Sequence, residues 1–456
     1  MTKYATIDPT TGKVVREFPT MSDRDVENAL GRAHAAYRSW SRTAVTERCA
    51  VLKRVAELHR HHATELAKLM TLEMGKPIRQ ALAEVELAAS IFEYYATSGP
   101  QLLTDQELQI AGTGRALVRT APVGPLLGIM PWNFPLYQAA RFVAPNLLLG
   151  NTILLKHAGT CPQQALRLHE IIEAAGSPVG AYQNTFATSD QVAHLIADPR
   201  IHGVSLTGSE RVGSIVGALA GKHLKKCVLE LGGSDPFLVL RDADVPAAVA
   251  AAVPGRFGNA GQACTSAKRI ITDAAVYDDF LARFLDEAGK WQAGDPMSED
   301  TKLGPMASIA GRDELAALVD DARAKGAVVH LGGAVPDSEG AYYPATVLTG
   351  VRPNMRAYYE ELFGPVAVIH RAETLEEVIK LANDSPYGLG STVFTQDAQL
   401  AQEVADQLEV GMVGLNTTIK SAPDLPFGGV KKSGIGRELG RYGVDEFANK
   451  KLVRIV

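Results

Sequence analysis

From residue 125 onward the chain alternates short apolar runs with helical stretches, and this limits its fold more than any other feature. Apolar runs sit at 126–130, 152–155, 203–206, 227–231 and 237–240, with helical patterning between most of them. Strand, helix and strand in succession build parallel pairs, so the pattern predicts a doubly wound parallel sheet. A second α/β set is expected over about 236–415, with strands near 269–271, 328–330, 366–369 and 392–394. A short strand at 452–456 closes the chain.

The residues before 125 read differently. A strand and turn lead into Ser22-Asp23-Arg24-Asp25, a helix-capping pattern, after which Val26, Ala29, Leu30, Ala33, Tyr37 and Trp40 follow at helical spacing. A second helix is expected from about Thr46 to Met74, stopped by Gly75-Lys76-Pro77, and a third over 78–97. Residues 107–120 alternate on both sides of Gly112-Thr113-Gly114 and predict a hairpin. A two-stranded hairpin does not bury itself, so it is expected to pack on another subunit.

Composition excludes several classes of function. The chain has 456 residues, 46% hydrophobic and 21% charged, which is globular and neither disordered nor fibrous. Lys plus Arg is 46 against 51 Asp plus Glu, so no basic surplus points to nucleic acid. The first residues, Met1 to Pro9, lack the apolar core of a signal peptide, and no apolar run reaches membrane-spanning length. Cys49, Cys161, Cys227 and Cys264 form no C-x-x-C pair, which suits a reducing cytoplasm. His59, His61 and His62 match no metal spacing and read as a solvated helix face, so no metal is expected.

The candidate chemistry sits at strand ends and loops. Cys264 lies among small, polar neighbours in Asn259-Ala260-Gly261-Gln262-Ala263-Cys264-Thr265-Ser266, a setting that suits an accessible nucleophilic thiol. The other three cysteines read as structural. Glu230 ends an apolar strand, where α/β folds place ligands and where low polarity raises a carboxyl toward a useful general base. Gly208-Ser209-Glu210-Arg211-Val212-Gly213 follows a strand and opens a helix, whose N-terminus favours phosphate. Asn133 is fixed between prolines in Pro131-Trp132-Asn133-Phe134-Pro135 and offers an amide to an oxyanion. Lys156 ends a strand where a cation meets a cofactor hydroxyl or phosphate; Glu361 and Phe363, two apart, suit a ribose and a flat ring.

The order of these motifs carries more than any one of them. Glu73-Met74-Gly75-Lys76-Pro77, PWNFP at 131–135, the Lys156 strand end, the turn at 207–213, LELGG at 229–233, the Cys264 loop, EELFGP at 360–365, Tyr387-Gly388-Leu389 and PFGGVKKSGIGRE at 426–438 occur in sequence. The chain resembles the aldehyde dehydrogenase superfamily over nearly its whole length, and within it the bacterial succinate-semialdehyde dehydrogenases. The resemblance implies two doubly wound parallel-sheet domains and a small oligomerisation β-segment. Residues 1–103 and 123–232 would bind the cofactor, 233–432 would be catalytic, and 104–122 with 441–456 would build the oligomer of a homodimer or homotetramer. It implies Cys264 as nucleophile, Glu230 as general base and Asn133 with the Cys264 N–H as oxyanion hole. Trp132, Asn133, Lys156, His157, Gly159, Ser209, Glu210, Leu231, Glu361 and Phe363 would line the cofactor.

The implied reaction is NAD(P)+-dependent oxidation of an aldehyde to its acid, with succinate semialdehyde as expected substrate. Broad aldehyde oxidation, and a catalytically silent protein on the same fold, are the alternatives. Arg141 and Ser421 fall where such enzymes bind the distal carboxylate, but the position of a second arginine holds Gly258, so Lys420 or Arg256 is expected to supply the missing charge. Gly159 stands where NAD-selective relatives often carry Glu, and Lys156 with His157 can attract a 2′-phosphate. NADP+ is therefore expected, with NAD+ accepted.

Overall fold

The computed structural model describes residues 4–456; residues 1–3, where the expected polar N-terminus and first domain begin, lie outside the described residues. Among the described residues, the first of two large sheets runs in the order Gly434–Ile435, Lys226–Glu230, Gly203–Thr207, Pro125–Met130, Thr152–His157, Tyr182–Asn184. Its last five strands are parallel and only Gly434–Ile435 is antiparallel. The strands are nearly continuous in apolar residues because helices cover both faces; Leu126, Leu127, Ile153, Leu154, Leu155, Val204 and Val228 are fully buried. From the central strand Pro125–Met130 the chain steps to Thr152–His157 on one side and later returns to Gly203–Thr207 on the other. That reversal opens a crevice at the strands' C-terminal ends, where ligands bind in such sheets.

The second sheet runs Val328–Leu331, Thr346–Thr349, Val366–Ala372, Arg269–Asp273, Pro236–Val239, Gly390–Phe394, Met412–Leu415. All neighbours are parallel except the first pair. Both α/β sets expected from the sequence are thus present, and the expected boundary at 232/233 falls between Lys226–Glu230 and Pro236–Val239. The short strands Tyr182–Asn184, Thr346–Thr349 and Met412–Leu415 are further to those expected from the sequence.

The helical region departs from expectation in three places. The helix expected over 46–74 is two, Val45–His61 and Ala63–Met74, broken where His62 takes φ −99° and ψ 17°. His59 is not on a solvated face: it is fully buried against Phe92, bonded through Nδ1 to the Val55 carbonyl, and burial pushes its pKa down to about 4. The helix expected over 78–97 extends to Leu102 and carries Pro100 in its last turn. The hairpin forms from Gln106–Leu108 and Arg115–Pro122, and Ala448–Ile455 pairs antiparallel along the latter to make a three-stranded sheet. No helix among the described residues is long and apolar enough to cross a membrane.

Gly434 couples fold to site. It pairs with Glu230 at φ +138°, and a Cβ there would run into the Leu229 carbonyl. Gly434→Ala is therefore expected to unseat the strand that flanks Glu230 and lower the thermal midpoint by about 3 °C or more. An unchanged melting curve by circular dichroism would contradict this.

Candidate active site

The site is assembled where the ends of the first sheet face the loop before the strand Arg269–Asp273. Glu230 is the last residue of its strand, Thr207 ends the next, and the 131–135 loop follows Pro125–Met130. Cys264 arrives from the second sheet through a strained turn: Asn259, Ala260 and Gly261 are all left-handed, at φ 53°, 51° and 70°. Such a run costs about 1–2 kcal/mol per non-glycine residue and persists only where neighbours hold it. Asn259 Nδ2 donates to the carbonyls of Asn133 (2.9 Å) and Gln262 (3.1 Å), Gln262 Nε2 donates to the Asn259 carbonyl (3.1 Å), and Gln262 Oε1 accepts from the Ala307 N–H (2.9 Å).

Asn133 is buried with a fixed amide. Its Oδ1 accepts from Gln138 Nε2 at 3.1 Å, and its Nδ2 donates to the Gln262 carbonyl at 3.0 Å, which leaves one N–H for a ligand. The loop is braced from the helical region. Lys76 Nζ donates to the Asn133 carbonyl at 2.8 Å and pairs with Glu84, whose Oε1 accepts from the Leu136 and Tyr137 N–H groups at 3.0 and 3.2 Å. Glu84 thereby caps the helix Pro135–Leu149, whose own N-cap residue, Phe134, supplies no side-chain bond.

Cys264, Glu230 and Asn133 all line one cavity of about 870 Å³. Burial pushes the Cys264 thiol up to about 12, against the opposing pull of the Arg141 and Lys268 charges. Glu230 is buried with neither carboxylate oxygen hydrogen-bonded; burial holds its pKa well above the carboxylate range, opposed by Arg141 and reinforced by Glu438. Trp132, Ser209, Glu210, Leu231, Glu361 and Phe363 line the same cavity, and the Trp132 and Phe363 rings meet edge to face at 5.7 Å. Ser209 caps the helix Glu210–Lys222, so a positive helix end faces this space. A flat ring, a ribose acid and a phosphate-favouring helix end in one cleft fit a dinucleotide.

Three expected ligands lie outside the lining of this cavity. His157 is fully buried, bonded through Nε2 to the Pro135 carbonyl, and kept neutral by a pKa pushed down to about 4, so it offers no charge to a 2′-phosphate. Lys156 and Gly159 lie at and beyond the end of the neighbouring strand and do not line the 870 Å³ cavity; Lys156 is half-buried, 5.4 Å from the Tyr4 ring.

A second cavity, about 680 Å³, is lined by Phe134, Gly258, Ala263, Thr265, Thr418 and Lys420. It lies across the wall formed by the 131–135 and Cys264 loops, since Asn133 and Cys264 line one space and their neighbours the other. Arg141 lines neither cavity. It is 1% exposed, paired with Glu438, lies 4.2 Å from the Phe427 ring, and donates to Tyr137 Oη at 3.2 Å and Thr207 Oγ1 at 3.3 Å. Tyr137 in turn donates to Ser421 Oγ at 2.6 Å. Arg256 is excluded as the missing cation: it is wholly buried, donating to the carbonyls of Val366, Leu362, Gly364 and Gly261 and to Ser266 Oγ.

The aldehyde dehydrogenase family model matches residues 1–453. The chain belongs to that family. It is 51% identical over 451 residues to a succinate-semialdehyde dehydrogenase [NADP(+)] of Deinococcus radiodurans, covering 99% of this chain and 94% of that relative. It is 44% identical over 453 residues to succinate-semialdehyde dehydrogenase [NADP(+)] 1 of Mycobacterium tuberculosis, covering 99% of each. A solved succinic semialdehyde dehydrogenase from Streptococcus pyogenes, in complex with NADP+, superposes with a TM-score of 0.97 at 40% identity over 99% of both chains.

Sequence reasoning missed the residues that hold the site. Lys76 is legible only as part of a helix stop and of the Glu73–Pro77 motif, and nothing singles out Glu84. A lysine between glycine and proline, eight residues before a glutamate on an otherwise apolar helix face, was the available signal.

The thiol's environment sets its reactivity. A raised pKa leaves the sulfur protonated at neutral pH, so the thiolate fraction grows with each unit of rising pH. Alkylation of Cys264 by iodoacetamide in the cofactor-free protein is expected to rise about tenfold per pH unit from pH 7 to 10. A plateau near pH 8, read on the peptide carrying Cys264, would contradict it.

Proposed function

We propose that the chain oxidises succinate semialdehyde to succinate, with NADP+ as preferred cofactor and NAD+ accepted. The carrying observation is the shared wall: Cys264, Asn133 and the free carboxyl of Glu230 line one cavity, and a second cavity opens beyond the same two loops. The relatives' names supply the substrate and cofactor class.

On this reading the aldehyde enters by the second cavity and the dinucleotide occupies the first. The Cys264 thiol gives up its proton to water as its sulfur adds to the aldehyde carbon, and the developing oxyanion is met by the unused N–H of Asn133, a donor worth about 3–4 kcal/mol in comparable sites. The bound nicotinamide supplies the hydride acceptor. Glu230 then takes a proton from water, which attacks the thioester on Cys264 and releases acid. Because Glu230 is protonated more readily than an ordinary carboxyl, hydrolysis of the thioester rises with pH as that proton is lost. Trp132, Ser209, Glu210, Leu231, Glu361 and Phe363 would hold the cofactor. Residues 1–103 with 123–232 form the cofactor-binding domain, and 233–432 the catalytic one. The three-stranded sheet of Arg115–Pro122 and its two partners is the self-association surface.

The distal carboxylate is held by Lys420 and Ser421. Among the described residues lining the second cavity, Lys76 is paired with Glu84 while Lys420 is exposed. Ser421 accepts from Tyr137, so its own hydroxyl proton is free to donate. Lys420→Ala is expected to lower kcat/KM about tenfold for succinate semialdehyde and under twofold for pentanal. Arg141→Ala is expected to impair both alike, because it strands Glu438 in the interior. Equal losses from Lys420→Ala would favour the broad-specificity alternative. Gly159→Glu is expected to shift preference from NADP+ to NAD+ in steady-state kinetics; unchanged preference would place the 2′-phosphate elsewhere. Cys264→Ala is expected to abolish turnover with cofactor binding retained, and residual turnover would refute the nucleophile.

A further inference from the structure

Lys268 immediately precedes the strand Arg269–Asp273 and is 1% exposed. A lysine buried this deeply is rare unless every donor has a partner. Its ammonium has three: the Ala263 carbonyl at 2.8 Å, the Cys264 carbonyl at 2.8 Å, and Glu361 Oε1 at 3.1 Å. The same Glu361 oxygen accepts from the Gly233 N–H at 3.1 Å, three residues after Glu230. A Cβ on Gly233 would press on the Cys264 carbonyl, and one on Gly232 would press on Glu361 Oε2, so the strand end, the acid and the thiol loop are packed without slack.

The charges facing this group come from several elements. Asp235 is buried beside it, its carboxyl pushed by burial up to about 8 with Lys268 opposing. Arg141 acts on the thiol from the opposite domain, and the Phe363 ring lies 6.0 Å from the ammonium. Among the described residues, Lys268 is thus the one cation that touches both the backbone of Cys264 and the acid on the cofactor side of the cleft.

We propose that Lys268 is a positioning residue that ties Glu361 to Cys264, so that the state of the acid in the cofactor cleft sets the reactivity of the thiol. This rests on the reading of Glu361 as a cofactor contact and Cys264 as nucleophile. While Glu361 holds the ammonium, its negative charge offsets the lysine; when Glu361 is engaged elsewhere, the ammonium's field falls on the Cys264 loop. The consequence is a thiol kept protonated until the acid is drawn away.

The test is a double-mutant cycle on cofactor-free protein, reading iodoacetamide alkylation of Cys264 at pH 8 by peptide mass. Glu361→Gln is expected to accelerate alkylation at least threefold in the wild-type background and less than 1.5-fold, as about the null limit, in a Lys268→Met background. Equal acceleration in both backgrounds overturns the proposal, since the acid would then act on the sulfur directly. Should Lys268→Met not fold, judged by circular dichroism, Glu361→Gln alone decides: no acceleration overturns it. Steady-state kinetics add a second readout. Lys268→Met is expected to raise KM for NADP+ and lower kcat together, with partial rescue by Lys268→Arg; a change in only one parameter contradicts the link. Failure of the underlying reading is seen separately, as turnover by Cys264→Ala.

Discussion

A buried ion pair, Lys76 with Glu84, holds together the three parts of the chain from which the site is made. The glutamate caps the helix Pro135–Leu149 from another helix, and the lysine fixes the Asn133 carbonyl, which also anchors Asn259 at the head of the Cys264 loop. Lys76 further lies 3.7 Å from the Phe134 ring. Burying two charges is worthwhile only where geometry satisfies them, and losing one partner typically costs about 3–5 kcal/mol. Here the return is positional: the amide of Asn133 and the turn carrying Cys264 share one anchor, so neither moves alone.

Around that anchor the chemistry is governed by desolvation. Cys264 and Glu230 both sit where charge is disfavoured, and both are pushed toward their neutral forms by burial. Arg141 opposes this at both groups, while Glu438, its ion-pair partner, weakens the effect at Glu230. Arg141 acts on both groups, whereas Lys268 and Glu361 act on the thiol and Glu438 on Glu230. A thiol that stays protonated is also protected from oxidation until a reactant arrives.

Much of this was legible in the sequence, and the reason is periodicity. The strands of both sheets read as apolar runs because parallel strands are covered on both faces; Glu230 and Asn133 stand out at or just beyond the ends of such runs, and Cys264 by its small, polar neighbours. The hairpin at 107–120 is visible from its alternation, whereas only the family resemblance joins it to the C-terminal segment, since 448–455 pairs with it across more than 300 residues of chain. What the sequence hid was burial of charge. His59 and His157 looked available and are enclosed, Arg141 looked like a free hand and is occupied by Glu438, and Arg256 spends its donors on carbonyls. Lys268 carried no local mark, since its acidic partner, Glu361, lies on a distant segment. Periodicity tells which way a residue faces, whereas the pairing of a charge depends on contacts distant in sequence.

The central claim is that one sulfur carries the acyl group between oxidation and release. Glu230→Gln protein mixed with succinate semialdehyde and NADP+, quenched in acid and measured by intact and peptide mass, tests it directly. The account predicts one succinyl group on the peptide containing Cys264, formed in step with cofactor reduction and discharged by hydroxylamine. Cofactor reduction with no acyl group on that peptide, or with the adduct on another residue, would contradict it.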